Sequence, residues 1–113
     1  MPWLIHWDHR AVEEFNVHTD KKTRKAVLTV VGVLHALGPK TVEPHSKSLT
    51  GEKKLRELRP SGGRVLVRPL HVRVSETEYV ILTVGPESMT DASGFKAAVK
   101  RAKERGRELG LDG

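Results

Sequence analysis

Nine cations crowd into one stretch of this 113-residue chain: Lys40, Lys47, Lys53, Lys54, Arg56, Arg59, Arg64, Arg68 and Arg73, against only Glu43, Glu52 and Glu57. The chain has a formal net charge of +6, and outside positions 40–73 eleven basic residues balance eleven acidic ones. The whole excess therefore sits in one segment. Clustered cations concentrate positive potential on one surface, the footprint of a protein that meets a phosphate backbone. Cations held rigidly on strands can also do chemistry on a phosphodiester. RNA cleaves itself without a metal when a base removes the 2′-hydroxyl proton, cations stabilise the crowded phosphorane and an acid protonates the leaving oxygen. Lysine and arginine suit the middle task, and lysine or histidine the outer two. The same cations can equally form a binding surface with no catalysis, and charge alone leaves both readings open.

The elements that must position these residues are legible from periodicity. Trp3 to Trp7 is an aromatic and β-branched run, a first strand, and Asp8 offers an oxygen to cap a helix to about His18, with Val12 and Phe15 as its apolar stripe beside Ala11. Thr19 or Asp20 caps a second helix, whose Val27, Val30, Val31, Leu34 and Leu37 recur at helical spacing, with His35 on the buried side, until Gly38-Pro39 stops it. Pro39 to Glu52 reads as a loop. Lys54 to Arg59, the turn Pro60-Ser61-Gly62-Gly63 and the valine-rich Arg64 to Val74 form a β-hairpin. In the last of these the apolar parity switches, Val65 and Val67 before Pro69 but Leu70, Val72 and Val74 after it. A bulge at Pro69 would reconcile the two and set Arg64, Arg68, His71 and Arg73 on one outward face. Tyr79 to Val84 is a nearly continuous apolar strand, and Thr90 or Asp91 caps a final helix with Phe95, Ala98, Val99 and Ala102 as its stripe. The order is β-α-α-β-β-β-α in one α+β domain over residues 1–106, with residues 107–113 expected as a frayed tail.

Several chemistries find no support. With no cysteine there is no disulfide, thiolate metal site or cysteine nucleophile. His6-x-x-His9 has a metal-binding spacing but straddles a strand end and a helix start with no third ligand in view. No Gly-rich phosphate loop or serine elbow is present, and no cofactor is expected. The longest apolar stretch, Leu28 to Leu37, is short of the roughly 20 residues that span a bilayer, and the N-terminus lacks an export pattern, so a cytoplasmic protein with no membrane partner is expected.

The run Lys47-Ser48-Leu49-Thr50-Gly51, then Leu55-Arg56-Glu57-Leu58-Arg59, then Arg64-Val65-Leu66 resembles the centre of the RelE/HigB toxin superfamily, with its K-x-L-x-G segment, L-x-E-L-R strand and R-V-L strand. The element order is similar over nearly the whole chain. The resemblance implies a small, mostly antiparallel sheet with two N-terminal helices on one face and a C-terminal helix. It implies a toxin of a bacterial type II toxin–antitoxin pair, a metal-independent, ribosome-dependent endoribonuclease cutting mRNA. Its partner would be an antitoxin, often a helix-turn-helix protein. By position Arg59 and Arg64 fall where cations meet the cleaved phosphate, and Lys47, Lys53 and Lys54 where a basic loop and strand start approach RNA, with Arg56, Arg68 and Arg73 adding to that surface. The chain departs from the pattern at Gly85-Pro86-Glu87-Ser88, where many relatives carry His, Tyr or Lys, and at Arg56, where an aromatic is frequent. The candidates for the general acid are therefore His71, Lys54 and Glu87. The alternative implied by the missing acid is a non-catalytic protein on the same fold, a gyrase-poisoning toxin of the ParE type or an RNA-binding module.

Overall fold

A computed structural model describes residues 2–111. Strand β1 (Leu4–Trp7) is followed by helices α1 (His9–His18) and α2 (Lys21–Leu37), strands β2 (Ser46–Ser48), β3 (Arg56–Leu58), β4 (Val67–Arg73) and β5 (Glu78–Pro86), and helix α3 (Ala92–Glu108). The sheet order is β1-β5-β4-β3-β2, antiparallel except for the parallel β1–β5 pair. This is the expected α+β arrangement with one addition. The segment read as loop contains β2, a three-residue edge strand too short and polar to show an apolar alternation.

Local chemistry sets the helix ends. Asp8, Asp20 and Asp91 are the N-caps, accepting from the N–H groups of Arg10, Thr23 and Gly94 at 2.9, 2.7 and 2.9 Å. At the end of α2, Gly38 adopts φ +54°, and the Trp3 indole lies 2.4 Å from where a Cβ would project, so only glycine fits. Helix α3 runs through Gly106, where the sequence suggests fraying, to Glu108. Gly106 is buried near Leu82, and Leu111 N–H folds back onto its carbonyl at 2.8 Å. Residues 112 and 113 of the expected tail lie outside the described residues.

Two apolar clusters sandwich the sheet. Val30 and Leu34 of α2 pack on Leu58 and Tyr79, with Trp3 and Ile5 beside them. On the other face Ala98 and Ala102 of α3 pack on Leu70, Leu82, Leu49 and Leu55. Helix α1 buries Ala11 rather than Val12, and Trp7 meets Phe15 at 5.4 Å between ring centroids. His35 is exposed, not buried, with its Nδ1 2.7 Å from the Trp3 carbonyl. Strand β1 stops at Trp7 opposite Ile81. Beyond it, the Glu14 carboxylate accepts from the Val84 N–H at 3.2 Å and the Thr83 hydroxyl at 2.8 Å, while Arg105 clamps it at 2.8 Å. Burial would raise this carboxyl, but those donors hold it below the usual range.

The parity switch resolves differently from expectation. Strand β4 alternates without interruption, and the register shift lies between Leu70 and His71, with Leu82 of β5 as the extra residue. Pro69, with no N–H to give, sits one residue beyond the last β3–β4 pair, Glu57 with Leu70. The consequence is that Arg68 shares the α3 face with Leu70 and Val72, whereas His71 and Arg73 share the α2 face. The single outward row of Arg64, Arg68, His71 and Arg73 does not form.

Candidate nucleic-acid interface

The carboxylate of Glu57 is the centre around which the cations of one face gather. Cross-strand pairing sets Lys47 of β2 directly opposite it. Arg68 approaches from β4, its Nε 2.9 Å from a Glu57 oxygen but outside hydrogen-bond alignment. Arg68 is 1% exposed, and its guanidinium also donates to the carbonyls of Val65, Val67 and Gly63 at 2.6, 3.1 and 3.3 Å. It is a buried brace, not the exposed RNA ligand expected. Arg59 continues β3 into the Pro60–Gly63 turn and lies against Gly63, which has φ +97° and brings its Cα side within 3.1 Å of an Arg59 nitrogen when a Cβ is imagined there. The Arg59 Nε is buried without a hydrogen-bond partner.

Burial raises the Glu57 carboxyl above its ordinary range although Arg68, Arg59 and Lys47 all oppose that shift. The same burial lowers Arg68, so the cost of dehydrating this pair exceeds what its attraction returns. A half-buried carboxylate held among cations is a setting shared by structural ion pairs and by proton-transfer groups. In sequence Glu57 is an acidic residue within the basic stretch and the glutamate of the L-x-E-L-R run, with no role assigned to it. Its alternation with Arg59 in the strand was visible, but the cross-strand partners that make it a centre were not.

The other expected site residues fall elsewhere. Arg64 is exposed and lines a cleft of about 700 Å³ shared with Lys22 and Lys25 of α2 and with His45. Those two lysines lie outside the basic stretch and were not anticipated. Lys53 and Lys54 are exposed and line a second cleft, about 430 Å³, beside the end of α3 with Lys103 and Arg107. Arg56 is half-buried on the α2 face, its Nε donating to the Ser46 hydroxyl at 3.0 Å. Arg73 is exposed but braces the β4–β5 turn, donating to the carbonyls of Ser75 and Glu76 at 2.9 and 2.8 Å.

Two of the three acid candidates are unsuited to the task. His71 is 1% exposed, on the sheet face opposite Glu57, and burial followed by the charge of Arg56 pushes it down to about 3, so it is neutral and remote. Glu87 accepts from the N–H groups of Met89 and Thr90 at 2.7 and 3.0 Å and from the Thr90 hydroxyl, which hold its carboxyl below the usual range. His6 pairs with Glu78 at 2.8 Å, and among the described residues no group of three or more His, Asp or Glu is placed to hold a metal ion. No described helix is long and apolar enough to cross a membrane.

No protein-family model and no curated protein matches the chain. Solved structures do. A mutant of the E. coli toxin RelE in the free state superposes with a TM-score of 0.63 at 17% identity, covering 89% of this chain and 98% of that one. The toxin–antitoxin complex RelBE2 from Mycobacterium tuberculosis gives 0.58 at 21% identity, covering 77% of this chain and all of the other. The fold is RelE-like, as the resemblance in sequence implies.

Proposed function

We propose that this chain is the toxin of a type II toxin–antitoxin pair and cleaves mRNA on the ribosome without a metal. The observation that carries the proposal is Glu57, half-buried with a raised pKa among Arg68, Arg59 and Lys47, on a fold similar to that of RelE. In this reading ionised Glu57 takes the 2′-hydroxyl proton and Arg59 beside it stabilises the charge that builds on the phosphorane, while exposed Arg64 holds the RNA from the α2-side cleft. Arg68 does not touch substrate. It is a positioning residue that fixes the Glu57 carboxylate from within the sheet. Lys47, Lys53, Lys22 and Lys25 would contact the flanking phosphates. Lys54 is the remaining protein donor for the leaving 5′-oxygen, with solvent as the other source. The work would be cytoplasmic, and an antitoxin, a helix-turn-helix protein, is the partner this reading calls for; RelBE2 was solved as a toxin–antitoxin complex.

A second reading, a non-catalytic gyrase-poisoning or RNA-binding protein, is favoured by one observation: His71 and Glu87 have no proton to offer at the Glu57 face. Primer extension on mRNA in a defined translation reaction separates the two. The nuclease reading expects cuts that need ribosomes and vanish in Arg64→Ala, a surface change that leaves the thermal melt unaltered. Intact mRNA alongside growth arrest and DNA damage would replace it with the gyrase reading.

A further inference from the structure

On the α2 face, behind the sheet from Glu57, lies a pocket of about 220 Å³ bounded by Leu34 and Tyr79 within and by the Gly38–Val42 segment above. Its volume is below the roughly 300 Å³ of sites for drug-sized ligands, so an occupant must be small. Among the described residues three cations line it, Lys54, Arg56 and Arg73, and no carboxylate does. Two buried polar atoms of lining residues have no hydrogen-bond partner, Thr41 Oγ1 and His71 Nδ1, on side chains 4% and 1% exposed. Orphaned polar atoms at such depth are rare and costly, and two on residues lining one basic pocket point to a polar occupant there.

We propose that this pocket binds a small oxyanion, phosphate or a phosphate monoester, through the Thr41 hydroxyl and the His71 imidazole, with Arg56 and Arg73 supplying the countercharge. A neutral imidazole donates one N–H and a hydroxyl one O–H, both apt for phosphoryl oxygens, and an adjacent guanidinium makes such contacts charge-assisted. Both polar atoms are buried. Contact with an anion therefore requires both the Thr41 hydroxyl and the His71 ring to turn toward the cavity. The anion contacts lie across the sheet from Glu57, and the pocket shares with the cleavage reading the lining residue Lys54, which those contacts do not use.

Isotope-labelled full-length protein is titrated with inorganic phosphate, adenosine monophosphate and adenosine in a chloride buffer of constant ionic strength, and the His71 ring nitrogens and Thr41 amide are followed by NMR. The expected result is a saturable shift at both residues with phosphate, with adenosine monophosphate, or with both, and none with adenosine; the preferred probe identifies the free ion or the monoester. Thr41→Val, which keeps side-chain shape, and Arg56→Gln should each weaken binding about tenfold, the loss of one charge-assisted contact. If Arg56→Gln fails to fold, Thr41→Val alone decides. Absence of saturation, equal affinity in Thr41→Val, or shifts confined to Arg59, Arg64 and Arg68 would overturn the proposal.

Discussion

His71 makes the acid stability of this protein predictable. Its ring is buried beside Arg56 and against Tyr79, 5.9 Å between centroids, and its pKa falls from 6.5 to about 3. A histidine with a depressed folded pKa contributes stability that is full above the unfolded value and is lost as pH falls toward the folded one. With those two values the loss from pH 8 to pH 5 is about 2 kcal/mol, growing toward about 5 kcal/mol below pH 3. Asp8, held down to about 2 by Arg10, and the other depressed carboxylates Glu14, Asp20, Glu78 and Glu87 lose their contribution only near and below the ordinary carboxylate range, outside this window. Glu57, raised by burial, works in the opposite sense and gains stability as pH falls through its folded value. Comparison of wild type with His71→Asn cancels these shared terms. Urea unfolding at pH 8, 7, 6 and 5 in phosphate-free buffer should show wild type losing about 2 kcal/mol more than the variant. Parallel pH profiles would refute the reasoning, since they would mean that the ring is accessible enough to titrate alike in both states.

Four other outcomes follow from named contacts. Arg105→Ala leaves Glu14, 17% exposed at its side chain, with Arg101 at 3.4 Å as its remaining cation, and should cost roughly 2–3 kcal/mol in chemical denaturation. Glu57→Gln takes the countercharge from buried Arg68, which keeps its carbonyl acceptors, so calorimetry at pH 7 should show a loss of about 3 kcal/mol. The same variant should lose at least about 100-fold in mRNA cleavage rate, the contribution of a general base, and wild-type cleavage should rise with pH through the raised Glu57 pKa in single-turnover assays.

The sequence carried the helices and their caps plainly, because Asp8, Asp20, Asp91 and Gly38 act through local hydrogen bonds and one backbone angle. It carried the sheet less completely. Ser46–Ser48 exists as a strand only because β3 offers it a ladder, and no local preference announces that. The apolar parity switch in Arg64 to Val74 marks an unbroken strand covered on both faces, and the extra residue of the β4–β5 pair lies on the other strand. Its true place, Leu82, lay inside an apolar run where alternation is invisible. That one displacement moved Arg68 and His71 from an imagined outer surface to opposite buried faces. Glu57 escaped notice for a related reason: a carboxylate becomes a site through neighbours on three strands, and those are tertiary facts.

The central claim is that Glu57 and its cations drive attack by the 2′-oxygen of RNA. The most direct measurement is the end chemistry of mRNA cut by purified protein on ribosomes, with Glu57→Gln beside wild type. The account predicts a 2′,3′-cyclic phosphate or 3′-phosphate and a 5′-hydroxyl, formed by wild type alone. Ends bearing a 3′-hydroxyl, or cleavage undiminished in Glu57→Gln, would contradict it.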